Sequence, residues 1–126
     1  SPSVEQGVGV GSVMWIAHTK GWLSIVAHRD YPDMLLVRSR RPSHISSMFP
    51  DAEIYEDAWA DYPYRADISR SEVANVLIDQ ASNIQYDNFK NHVNEKELSH
   101  ALAKVWQKIW EYGLEYRPPQ MLEGGI

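Results

Sequence analysis

The chain reads as an α+β domain, a mainly antiparallel sheet covered on one face by helices. Two patterns predict this. The first half carries short runs with apolar residues at every second position, and the second half carries apolar residues at helical spacing behind capping signals. Length is the third observation: 126 residues suffice for one core and are too few for two.

Residues 1–13, which include Gly7, Gly9 and Gly11, follow neither period and read as a flexible extension or an expression remnant, with Met14 as the natural start. Residues 14–19 and 22–28 are short apolar runs on either side of Lys20-Gly21, a turn signal, so a β-hairpin is expected. In the second run Leu23, Ile25 and Ala27 point one way, and Trp22, Ser24, Val26 and His28 the other. A polar loop with Pro32 leads to a third strand over 34–40. Residues 42–48 read as a short helix with Ser43 as N-cap and Pro50 just beyond its end. Strands are expected at 52–56 and 64–68, separated by the loop 57–63.

Ser69 and Glu72 form a capping box, behind which Val73, Val76, Leu77 and Ile84 trace a helical face. Asn94 to Glu97 resembles a second capping box. It opens a helix with Leu98, Leu102, Val105 and Ile109 as its stripe, Trp106 widening it and Gly113 as the C′ glycine. The domain is therefore placed at 14–113 with a tail over 114–126. A ferredoxin-like arrangement around 22–84 is the first choice, the C-terminal helices being an addition to it. Leu23, Ile25, Leu36, Val37, Val76, Leu77, Leu102, Val105 and Ile109 are expected to be mostly buried.

Composition narrows the function classes. No cysteine is present, which excludes disulfide scaffolds, thiolate zinc sites and cysteine nucleophiles and fits a reducing compartment. A net charge of −5 is unlike a dedicated duplex-DNA binder, whose affinity rests on phosphate contacts. No apolar run reaches the roughly 18 residues of a membrane span, and no signal-peptide pattern opens the chain. A cytoplasmic location is expected.

Four segments carry a resemblance: residues 21–30 (GWLSIVAHRD), 35–40 (LLVRSR), 61–66 (DYPYRA) and 86–90 (YDNFK). They resemble a family of small bacterial and bacteriophage proteins with no established activity. The resemblance implies a bacterial or phage cytosolic origin and assigns no cofactor or catalytic residue.

Candidate chemistry gathers at strand ends. Arg38 and Arg40, two apart in a strand, share one face, and two guanidinium forks can hold a phosphate or carboxylate. The bland reading pairs them with Asp51, Glu53 or Glu56 on the adjacent strand. His28 followed by Asp30 invites a general base oriented by a carboxylate; the structural alternative makes Asp30 a turn cap. Tyr62, Tyr64 and Arg65 beside Trp59, and Tyr86 to Lys90, interleave aromatics with cations as base-stacking surfaces do, although Tyr64 and Phe89 equally suit a core. The acidic stretch Asp51 to Asp61 reads as a solvated loop, and no histidine spacing suits a metal. Trp106 and Trp110, at i and i+4, suit packing or a partner-facing patch. Phosphate-binding glycine loops and nucleophile elbows are absent from the sequence.

The leading reading is a non-enzymatic accessory or regulatory binding protein that needs no cofactor or metal. It would hold a phosphate-bearing ligand or acidic protein surface through Arg38, Arg40, His28, Tyr62, Tyr64 and Arg65. The first alternative is a small phosphodiesterase or nuclease using His28, Asp30 and arginines. The second is a phage inhibitor that docks on a host protein through its acidic loop and C-terminal tryptophans. Self-association is compatible with each.

Overall fold

The computed structural model describes residues 13–85 and 89–116. The extension expected over 1–13 lies outside them except for Val13, and so does the tail beyond Tyr116; of the 86–90 cluster, Tyr86, Asp87 and Asn88 fall outside as well.

Strands β1 (Met14–His18), β2 (Gly21–Ala27), β3 (Met34–Ser39), β4 (Tyr55–Glu56) and β5 (Tyr64–Ser69) form one sheet in the order β1-β2-β3-β5-β4, with every neighbouring pair antiparallel. Helices α1 (Pro42–Ser46), α2 (Arg70–Ser82) and α3 (Lys96–Leu114) follow the third strand, the fifth strand and a short 3-10 turn at Phe89–His92. The α+β class is thereby established. The ferredoxin-like arrangement is not confirmed, since β2 runs directly into β3 with no intervening helix.

Period-2 alternation decides which side of the sheet is dry. Leu23, Ile25, Val37, Ala66 and Ile68 share one face and pack with Ile45 of α1, with Met48 and Phe49 just after it, and with Val73 of α2. Leu23, Val37 and Ile45 are completely buried, each worth about 1.5–3 kcal/mol of transfer free energy. Helix α2 starts as its capping box requires, Ser69 Oγ accepting the Glu72 N–H at 3.2 Å. The opposite face carries Trp15, Trp22, Ser24, Val26, Leu36, Arg38, Arg65 and Asp67, as the registers Trp15↔Ser24, Ser24↔Arg38 and Arg38↔Arg65 dictate.

Several sequence expectations are corrected. The strand expected at 52–56 shortens to Tyr55–Glu56, because only these two residues find a partner on β5. Arg41, not Ser43, is the N-cap of α1, with Pro42 in the first helical position where its missing N–H costs nothing. Helix α2 ends before Ile84, which is 57% exposed. Glu95 rather than Asn94 caps α3; its carboxylate makes no cap hydrogen bond and pairs with Arg41 at 3.2 Å. Gly113 lies within α3, which continues to Leu114. The apolar stripe of α3 is buried only in its first two turns: Leu98 and Leu102 are covered, whereas Val105 and Ile109 are 38% and 64% exposed. Leu36, Val76 and Leu77 are half-buried. Among the described residues no helix is long and apolar enough to cross a membrane.

Candidate anion site on the open sheet face

Strand pairing places Arg38 directly between Ser24 on β2 and Arg65 on β5, and Tyr55 of β4 lies beyond Arg65 in the same row. Two like charges directly opposite one another destabilise a sheet. Among the described residues neither guanidinium has a carboxylate partner: Arg38 Nη2 donates to Ser24 Oγ at 2.7 Å and Arg65 Nε to the Tyr62 carbonyl at 3.3 Å. Arg38 Nε is buried with no acceptor among these residues. Burial first, and the Arg65 charge second, lower the Arg38 pKa from its ordinary value.

Tyr62 ties a third arginine to this pair. Its ring, only 8% exposed, lies 4.9 Å from the Arg38 guanidinium carbon and 4.1 Å from that of Arg40. Arg40 also donates to Asp61 at 3.0 Å. Burial opposes its charge, but Asp61 and Tyr62 outweigh it and raise its pKa. The partners foreseen for the arginines, Asp51, Glu53 and Glu56, make none of these contacts; Asp61 and Glu95 take Arg40 and Arg41, and Arg38 takes a hydroxyl.

His28 lies at the other end of the same face. Its Nδ1 accepts the backbone N–H groups of Asp30 and Tyr31 at 3.1 and 3.2 Å, which assigns the ring proton to Nε2, 3.4 Å from Asp67 Oδ2. Asp67 Oδ1 accepts from the Tyr55 hydroxyl at 2.9 Å; burial and this carboxylate raise the Tyr55 pKa. The carboxylate that meets the imidazole is thus Asp67, and Asp30 contributes its main-chain N–H. Both ring nitrogens of His28 are engaged. Tyr64 is the site candidate that falls elsewhere, opposite Ser39 and against the core; Trp59, expected beside it, is 98% exposed. Arg38, Arg40, Tyr62 and Arg65 do come together.

A cleft of about 500 Å³ adjoins the arginines. Trp15 and Trp22 line it from the sheet, His44 from α1, Tyr62 from the loop before β5, and Leu98, Ala101, Leu102 and Val105 from α3. Trp15 and Trp22 are ring neighbours at 5.7 Å. His44 is 8% exposed; its Nδ1 accepts the Trp22 N–H at 3.2 Å, and its buried Nε2 has no partner among the described residues. Burial, its largest influence, lowers the His44 pKa against the opposing pull of Glu95.

No family model, curated protein or solved structure matches the chain.

Sequence reading missed Asp67, Tyr55, His44 and the Trp15–Trp22 pair. Alternation did put Trp22, Ser24 and His28 on one face. Their partners on β1, β3 and β5 emerge only from register, and no local pattern encodes that.

Proposed function

We propose that the protein is a small non-enzymatic binding protein that holds a phosphate-bearing ligand on the sheet face opposite its core. It would act in the cytosol of a bacterium or a phage-infected cell, the origin implied by the segments at 21–30, 35–40, 61–66 and 86–90. One observation carries this reading: Arg38 and Arg65 stand opposed across β3 and β5 with no carboxylate between them among the described residues. Such an arrangement costs stability in the free protein, and an anion placed between the two forks removes the repulsion while supplying acceptors. A phosphate has enough oxygens to meet both guanidiniums. Tyr62 fixes Arg38 from the side, so less side-chain freedom is lost on binding.

Calorimetric titration with inorganic pyrophosphate at constant ionic strength tests the reading. Saturable binding is expected, weakened about ten- to a hundredfold in Arg65→Ala, the loss of a charge-assisted hydrogen bond. The stability without ligand should stay within about 0.5 kcal/mol of the parent's, because the hydrogen bond that Arg65 makes among the described residues, to the Tyr62 carbonyl at 3.3 Å, is long. Equal losses of stability and binding would make Arg65 a structural residue and defeat the proposal.

A further inference from the structure

The anion site and the cleft share a wall. Trp22 and Ser24 are alternate residues on the same face of β2, about 7 Å apart along the strand, and Ser24 Oγ receives Arg38 Nη2. Tyr62 lines the cleft while its ring lies against the Arg38 guanidinium. A ligand with an anionic group on Arg38 therefore has an aromatic-walled space within one nucleotide's reach.

The cleft asks for a flat body with hydrogen-bonding edges. Its volume falls in the range of small-molecule sites. Indole faces accept stacked rings of any base. His44 adds a specific demand. Its Cβ and Cγ press against Gly21. Nδ1 already accepts from Trp22, which leaves Nε2 as an N–H donor; it is buried and has no acceptor among the described residues. The cleft lining also carries Arg40, Arg41, Glu95 and Glu97, so an occupant with hydrogen-bonding edges matches it better than a purely apolar one.

We propose that the phosphate-bearing ligand is a nucleotide, with its base in the cleft beside Trp22 and His44 and its phosphate on Arg38 and Arg65. The proposal rests on the anion reading above and names its ligand class. A free nucleotide and a residue of a single strand present the same chemistry.

The experiment compares ribose 5-phosphate, adenosine and guanosine 5′-monophosphates and a short single-stranded oligonucleotide, followed by tryptophan fluorescence and calorimetry. Both monophosphates should bind roughly tenfold more tightly than ribose 5-phosphate, the contribution of one stacked base. Ala101→Trp, at an exposed position lining the cleft, should remove that gain and leave the ribose 5-phosphate affinity unchanged. His44→Gln should reduce the gain in part, with circular dichroism confirming its fold. If ribose 5-phosphate binds in an Arg65-dependent manner and the nucleotides bind no better, the nucleotide assignment fails and the anion reading stands. If no phosphate probe binds, both fail. A base-dependent gain that survives in folded Ala101→Trp would also overturn the assignment. Tighter binding of the oligonucleotide than of either monophosphate would name a strand as the source, and the reverse a free nucleotide.

Discussion

A Cβ placed on Gly21 would stand 2.6 Å from both Cβ and Cγ of His44, closer than real side-chain contacts allow. Gly21 has no positive φ, so the glycine serves close approach between β2 and α1 and not turn geometry. The hairpin expected here is present, but its turn shifts by one residue: Thr19 and Lys20 form it and β2 starts at Gly21. Gly21→Ala is expected to cost about 1–3 kcal/mol in urea unfolding, because backbone must move to admit the methyl group. The packing also sets a pH dependence. Burial lowers the folded-state pKa of His44, while the unfolded chain titrates near the ordinary value of about 6.5. The unfolded state therefore binds more protons in the window below that value, so the contribution of a neutral His44 is complete above it and is lost as pH falls through the folded pKa. Glu95 opposes this shift and Arg41 reinforces it. The difference in stability between the parent and His44→Gln should narrow as pH drops below about 6.5; a constant difference would show that His44 titrates alike in both states.

At the scale of elements, α3 shows why periodicity places a helix more securely than it buries one. Its stripe of Leu98, Leu102, Val105 and Ile109 is regular, yet only the first two turns lie against the sheet side of the cleft. Beyond Val105 the helix carries exposed Ile109, Trp110 and Tyr112, with the Trp106 and Trp110 rings stacked at 6.2 Å. Hydrophobic spacing states which residues share a face, but the extent of the surface opposite them belongs to other elements. Leu102→Ala should cost about 2 kcal/mol or more, whereas Ile109→Ala should stay within about 0.5 kcal/mol; similar values for the two would mean that the far end of α3 is packed as well. The Ser69–Glu72 box, by contrast, was legible residue by residue, because cap, acceptor and donor lie within one turn. Ser69→Ala is expected to cost about 1 kcal/mol. The Asn94 box failed because α3 starts one residue later than expected, with Glu95 at the N-cap, so Asn94 and Glu97 do not occupy the cap and third helical positions.

For the molecule as a whole, the α+β class and the two faces of β2 were readable from the apolar periods, and the strands on either side of the Pro32 loop do pair. The order in which β5 inserts beside β3 was not, and the site depends on it: Arg38 and Arg65 become neighbours only when β5 pairs with β3 in this register. The same long-range pairing exchanges Asp30 for Asp67 at His28 and sends Tyr64 to the core side. A net charge of −5 opposes the approach of an anion at long range, so any affinity on this face rests on the local pair Arg38 and Arg65. The most direct measurement is a titration of the isotopically labelled protein with inorganic phosphate at fixed ionic strength, followed by backbone amide resonances. The largest shifts should fall on Ser24, Arg38 and Arg65, saturate together, and vanish in Arg65→Ala. Shifts that rise without saturation, or that centre on other exposed cations such as Arg29, Lys104 and Lys108, would contradict an anion site on this face.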